Sequence, residues 1–473
     1  MDRRKFLKTT LFAGAGLAAT SWMPCAWAQL GIADPARLRI TTRTLDVNGK
    51  AASVYGLIGP NGKSGLRLKE GDIFAVDLVN TLSDPTMIHW HGILSPYEQD
   101  GVPDMPMPLL KAGETRSYSF PVGNAGTHWM HAHTLQEQNL LAAPLIVGAS
   151  KQADEQEIVI LLHDFSFTPA AELLAKLQKG STSGIGQNMN HEMAGIDGAS
   201  MGDMPAMEMD LNDIEYDAYL ANDRTLGDPE VVQVEKGGRI RLRVINGATS
   251  TVFTIDTGTL EGELVSVDGH DVAPLRGGRF QLAMGQRADI RLTIPQDSRA
   301  FPILALREGS AHRTGIILAP KGARIEKLAV EAEQKGPEMG FGLESKLIAA
   351  HPLNVKTPDR TINAMLMGDM ATYQWSLTAD RPLKVREGER VAINIANHTM
   401  MGHPIHLHGH KFQVVSINGK SMQGAVRDTV HIPPMGSVGI AFDAANKGKW
   451  AFHCHHLYHM ATGMMQMLEY EEV

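Results

Sequence analysis

Apolar and polar residues alternate in three short stretches of this chain, and the three stretches resemble one another. They are KEGDIFAVDLVN (Lys69–Asn80), EKGGRIRLRVIN (Glu235–Asn246) and REGERVAINIAN (Arg386–Asn397). Each has Gly at its third position, then alternating apolar residues, then a terminal Asn. Period-two alternation marks a half-buried strand, because successive side chains point to opposite faces of a sheet. A second Gly-led strand also recurs: AGETRSYSF (Ala112–Phe120), MGQRADIRLTI (Met284–Ile294) and MGSVGIAF (Met435–Phe442). Repetition on this scale predicts one supersecondary unit used three times. The expected fold is all-β, with β-sandwich domains at residues 29–150, 151–320 and 345–473 and the polar run 321–344 as linker.

The histidines follow the same repeat. His89 lies nine residues after Asn80 in HWHG, and His406 nine after Asn397 in HLHG. His131 lies five residues after Gly126 in HAH, and His453 five after Gly448 in HCH. The middle unit has no histidine pair at either place, so it is expected to act as a spacer between two matching half-sites. Random placement of 20 histidines would give about one His-x-His pair; the chain has five, at 89/91, 131/133, 406/408, 408/410 and 453/455. In a strand, residues i and i+2 share a face, so each pair offers two imidazoles side by side. Eight imidazoles in paired halves are too many for one tetrahedral zinc.

Composition narrows the picture. The 47 glycines and 24 prolines suit short strands and turns, and a net charge of −8 argues against a nucleic-acid partner. The N-terminus pairs Arg3 with Arg4 ahead of Phe6-Leu7-Lys8, and a short apolar run leads to the small-x-small signal AWA at Ala26–Ala28. Residues 1–28 therefore read as a twin-arginine signal peptide, with the twin-arginine translocation machinery as partner during export and the bacterial periplasm as destination. No other segment is apolar for long enough to span a bilayer, so no stable membrane insertion is expected. Cys25 would leave with the signal, so Cys454 would be the mature chain's one thiol, free of any intrachain disulfide in an oxidising compartment. A thiol kept there points to a ligand or a nucleophile. In HCH, Cys454 faces away from His453 and His455 and can serve a different metal. A blue-copper centre needs two His, one Cys thiolate and a weak axial Met; His403, Cys454, His459 and Met464 complete that set.

The motifs HWHG, HAH, HPIHLHGH and HCHHLYHMATGM together resemble those of the multicopper oxidases over essentially the whole mature chain. The resemblance implies cupredoxin-like Greek-key domains and four copper ions. It implies type 1 ligands His403, Cys454, His459 and Met464, and type 2 ligands His89 and His406. The type 3 pair would take His91, His131, His133, His408, His453 and His455. Four one-electron oxidations at type 1, with the histidine edges of His403 and His459 nearest the surface, would feed reduction of dioxygen to water. Within the family, HCHHLYHMATGM, MLMGDMATYQWS and THWMHAHTLQEQ look most like the bacterial copper-resistance oxidases. That favours Cu(I) as reductant, with laccase-like activity on phenols and a role in copper tolerance. A general laccase with an organic substrate is the first alternative, and a non-enzymatic copper-binding scaffold the second.

Three further readings concern chemistry around the metals. Dioxygen reduction consumes protons, so an acid is needed beside the cluster; Asp100 in EQDGVP and Glu137 are the candidates, with a plain Asp-Gly turn as the bland reading of Asp100. His410, His456 and His128 are expected behind the ligands or at the surface, His163, His270 and His312 in structural roles, and Met400 and Met401 in packing. The aperiodic run at Gly186–Asp210 holds Met189, Met193, Met201, Met204, Met207 and Met209 among acids and glycines. Thioethers are soft ligands suited to Cu(I), so this run reads as a candidate Cu(I) loop or as an insertion without a metal role.

Overall fold

The two recurring sequence units become hydrogen-bonded neighbours each time they occur. The computed structural model describes residues 35–151, 153–179 and 211–471. In it Ile73–Asn80 pairs antiparallel with Thr115–Pro121, Arg239–Asn246 with Arg287–Thr293, and Arg390–Asn397 with Ser437–Asp443. Around each pair two sheets stack into a sandwich: four and four strands over residues 36–148, six and five over 156–320, seven and five over 360–470. The chain is all-β in architecture, and its regular helices are short, as at Ala170–Gln178 and Leu457–Ala461. No helix among the described residues is long and apolar enough to cross a membrane. The proposed signal at 1–28 and the six methionines from Met189 to Met209 lie outside the described residues.

Each conserved letter of the repeat has a local cause. Gly71, Gly237 and Gly388 turn the chain into the strand at φ of 87°, 70° and 85°, a region that favours glycine. Along Ile73–Asn80 the residues Phe74, Val76 and Leu78 point inward and are fully buried, each contributing about 2 kcal/mol of burial. The terminal Asn is a buried clamp. Asn80 Nδ2 donates to the carbonyls of Asp84 and Leu110, Asn246 Nδ2 to those of Thr251 and Leu282, and Asn397 Nδ2 to those of Met401, Ile432 and Pro433. Each Asn Oδ1 also accepts the amide two residues on. The clamp fixes the loop that leads, in the first and third sandwiches, to a histidine-bearing strand.

The first sandwich keeps its own core, whereas the second and third share one continuous core running from Ile158 to Leu468. Cys454 and Met464 sit in that shared core. The segment after Pro320 runs along the middle sandwich, with isolated bridges Arg299–Arg324, His312–Glu331 and Glu308–Gly336.

Candidate metal centre

The histidine pairs lie on matching registers. In the first sandwich Ile88–His91 pairs with Gly126–Ala132, placing His89 opposite His131. In the third, His403–Leu407 pairs with Lys449–Cys454, placing His406 opposite His453 and Ile405 opposite Cys454. Period two turns the even-numbered Cys454 away from its histidine neighbours, into the core. All twelve residues expected as copper ligands are buried, none more than 6% exposed.

The structure brings eight of them into three groups, the first two sharing His91: His89 with His91 and His406, His91 with His131 and His455, and His133 with His408 and His453. Within each group the nitrogens lie within 4.8 Å of one another. Their outer nitrogens are held by hydrogen bonds. His89 Nδ1 donates to the Asp100 carbonyl at 2.8 Å, His91 Nε2 to Asp428 Oδ1 at 3.0 Å, and His131 Nδ1 to Glu137 Oε2 at 3.0 Å. His406 Nδ1 donates to the Asp428 carbonyl at 2.9 Å and His408 Nδ1 to Asp100 Oδ2 at 2.7 Å. Fixing one nitrogen as donor leaves the other as a bare lone pair. Those inward nitrogens of His89, His91, His131, His406 and His455 are buried with no partner. His408 Nε2 and His453 Nε2 face each other at 2.9 Å, although both Nδ1 atoms already donate. Opposed lone pairs at that distance repel unless cations lie between them, so the donor set fits metal ions. Burial, then mutual proximity, holds His91, His131, His133, His406, His408 and His455 well below the ordinary imidazole range, and His453 falls to about 4. Neutral imidazole is the form that binds metal.

The second centre is a nitrogen–nitrogen–sulfur triangle. His403 Nδ1 and His459 Nδ1 are 3.1 Å apart, and Cys454 Sγ lies 3.7 and 3.9 Å from them. His459 Nε2 donates to Asp213 Oδ2 at 3.1 Å. His403 Nε2 donates to Thr399 Oγ1 at 2.7 Å, whose own proton goes to Asn397 Oδ1. Met464 is fully buried and its carbonyl accepts the Cys454 amide at 3.0 Å. Burial pushes the Cys454 thiol up, so a metal has to displace its proton. Two imidazoles, one thiol and an adjacent Met are the blue-copper donor set. His403 and His459, whose edges were expected nearest the surface, are both covered and 0% exposed. The cause is the middle sandwich, whose Asp213 covers His459, together with Trp375, whose ring packs 3.9 Å from the same imidazole. The middle unit is therefore more than a spacer. It gives no histidine to these groups, but Asp213 and Arg287 come from it.

Asp100 and Glu137 both stand where an acid could act, 2% exposed and bonded to His408 and His131. Burial raises the Glu137 carboxyl well above the usual range. Sequence reasoning missed Asp428, which holds His91 by its side chain and His406 by its carbonyl and pairs with Arg287. It also missed Asp213, Thr399 and Trp375. Asp213 and Trp375 meet His459 only through tertiary packing, and Thr399, four residues before His403, carries no spacing signal of its own. Of the remaining histidines, His163 donates to the Gly247 carbonyl in a structural role, and His312 bonds Ser310. His410 is bonded to the His408 carbonyl and Tyr470. His128, His410 and His456 are all buried, which removes the surface reading for them. Met401 packs in the core as expected, whereas Met400 is exposed.

Comparisons with known proteins agree with this geometry. Multicopper oxidase family models match residues 40–152, 156–321 and 351–472. The chain belongs to the multicopper oxidase family; it is an oxidoreductase that uses copper. It is 30% identical to multicopper oxidase MmcO of Mycobacterium tuberculosis, over 99% of this chain and 96% of that protein. It is 26% identical to copper resistance protein A of Escherichia coli, over 100% and 99% of the two chains. A multi-copper oxidase crystal structure from Pseudomonas thermotolerans superposes with a TM-score of 0.69 at 22% identity, over 92% of this chain and 98% of that one, a likeness of fold.

Proposed function

We propose that this chain is an exported bacterial oxidase that takes electrons one at a time from Cu(I) and protects the periplasm from copper. In this reading His403, Cys454, His459 and Met464 hold a type 1 ion and His89 and His406 a type 2 ion. His91, His131 and His455 hold one type 3 ion, and His133, His408 and His453 the other, making four. When bound, copper supplies one-electron oxidation at the first centre and four-electron reduction of dioxygen to water at the second. The chain's residues do the rest. Strand registers hold the imidazoles, and carbonyls and carboxylates fix their tautomers. Cys454 and its neighbours His453 and His455 join the centres covalently. Glu137 and Asp100 accept hydrogen bonds from ligand imidazoles and stand where an acid could pass protons to the cluster.

The observation that carries the choice of donor is the complete burial of the type 1 histidine edges beneath Asp213 and Trp375. A bulky phenol has no imidazole edge to touch, whereas a bare ion needs only a narrow approach and soft or anionic groups along it. The likeness to copper resistance protein A favours the same donor. Met189, Met193, Met201, Met204, Met207 and Met209 would gather Cu(I), and residues 1–28 would direct export by the twin-arginine route. The test is steady-state oxygen uptake by the copper-loaded protein with Cu(I) and with a panel of phenols. A higher kcat/KM for Cu(I) is expected; a phenol preferred over Cu(I) would move the general-laccase reading ahead.

A further inference from the structure

His456 directly follows His455 and stands at the start of the short helix Leu457–Ala461, which carries His459. Residues three apart on a helical turn share a face, so the two side chains meet. The ring of His456 lies flat on that of His459, with centroids 3.6 Å apart and planes 5° from parallel. Trp375 lies on the same imidazole at 3.9 Å, tilted by 30°. Two rings this close cannot share one face of a five-membered ring, so His456 and Trp375 take opposite faces and clamp His459 between them. The turn is pinned as well: the Leu457 amide donates to the Thr249 carbonyl of the middle sandwich at 2.9 Å, and the Met460 amide to the His456 carbonyl at 3.0 Å. The His456 amide donates to Cys454 Sγ at 3.4 Å, so this one residue touches the nitrogen–nitrogen–sulfur centre twice.

The nitrogens of His456 do not account for its presence. The side chain is buried, and neither ring nitrogen has a hydrogen-bond partner. Nε2 lies 3.4 Å from Asp213 Oδ2, outside bonding geometry, and that oxygen already accepts from His459 Nε2 and from the Tyr373 hydroxyl. A buried polar atom without a partner is a net cost, which a leucine at this position would avoid. What an imidazole brings and a leucine cannot is an aromatic face. Such a face attracts positive charge lying over it. The His459 ring takes on part of the charge of any ion it holds, and more of it from a doubly than from a singly charged ion.

We infer that His456 is a positioning residue for the type 1 ion: its ring fixes the plane of His459 against Trp375 and favours the oxidised ion, which lowers the reduction potential of the centre. The inference rests on the type 1 reading of His403, Cys454, His459 and Met464. His456 acts through His459 and gives the ion no ligand atom of its own. A preference of cation–π size for the doubly charged ion corresponds to about a 5- to 10-fold change in the oxidation equilibrium, and tenfold is about 59 mV for one electron. The lower potential makes delivery of electrons to the histidine cluster more favourable and their uptake from the donor less so.

The test compares the copper-loaded full-length protein with two variants: His456→Leu, which removes the aromatic face, and His456→Phe, which restores one without nitrogens. A cavity of about 160 Å³ beside His456 leaves room for the larger ring. Both variants lose the nitrogen near Asp213 and keep the backbone amide on Cys454, so the difference between them reports the stack alone. Copper content is measured first, then the type 1 potential by redox titration at the blue band, and then the type 1 EPR spectrum. The expected result is a Leu variant whose potential lies above the wild type by the equivalent of about 5- to 10-fold, with EPR lines broadened as His459 loosens. The Phe variant should stay close to the wild type in both. Type 1 copper lost from the Leu variant and kept in the Phe variant would support the clamp equally. The same potential and line widths in the two variants, or loss of type 1 copper from both, would overturn the positioning role. A copper-loaded wild-type protein without a blue band would sink the type 1 reading instead.

Discussion

A buried imidazole whose outer nitrogen faces a carboxylate has one tautomer left, and its inner nitrogen is then committed to metal. His91 is in that position: Asp428 takes its Nε2, and Arg287 holds Asp428 with Oδ1 and Oδ2 at 2.8 and 2.5 Å. Asp428→Asn is expected to weaken retention of the type 3 ions by about 10- to 100-fold, measured as copper per chain after dialysis against a chelator. Asp428→Ala leaves Arg287 buried without this partner and should cost about 3–5 kcal/mol in denaturant unfolding. Wild-type copper retention in the Asn variant would mean that strand geometry alone fixes His91. Cys454→Ser tests the other centre: the blue charge-transfer band should vanish and one copper should be lost, while the remaining ions stay. At this scale the clustered histidines were legible because their pairs are local, with His-x-His and HCH carrying their geometry in a period of two. Asp428 and Asp213 were not, because a carboxylate is ordinary in sequence and becomes special only when packing sets it against a particular nitrogen.

The element that repeats is a strand ending in a clamp, and it separates stability from function. Asn246 in the middle sandwich and Asn397 in the third make equivalent hydrogen bonds, but only the loop after Asn397 leads to a proposed ligand. Thr399, which accepts from His403, is itself held by Asn397 Oδ1. Asn246→Ala and Asn397→Ala should each destabilise by about 2–4 kcal/mol, since each strands several buried partners. Only Asn397→Ala should also shift the type 1 absorption and its reduction potential. Equal spectra in the two variants would show that the clamp does not position His403. The six strands were readable from alternation and turn glycine, while their pairing emerged only in the fold. The cover over the type 1 histidines was not, because Asp213 arrives from an aperiodic stretch whose sequence carries no register.

The molecule as a whole closes its histidine cluster between its first and third sandwiches, while the middle one braces the joint through Arg287 and Asp268. Arg287 pairs with Asp428, and Arg427 is shared between Asp268 and Glu344. Ions bound across that joint bind the native state alone, so copper should stabilise the fold by about 4 kcal/mol at roughly a thousandfold excess over Kd. Removing copper should therefore lower Tm, with hydrogen-exchange protection lost first at Ile88–His91 and His403–Leu407. The copper-free protein should also be sensitive to acid. Burial lowers His410 and His431 to about 4 and His128 to about 3, against about 6.5 in an unfolded chain. As pH falls below 6.5 the unfolded chain takes up protons that the folded chain refuses. Unfolding is then favoured progressively until the folded-state values are reached. Stability of the copper-free protein should thus be flat above pH 7 and fall steeply from 6.5 towards 4. His410→Gln should make that slope shallower by one proton's share. Urea midpoints across this range would check it: a flat profile would mean that these imidazoles are hydrated in the copper-free state, and that copper, rather than the polypeptide, closes the joint.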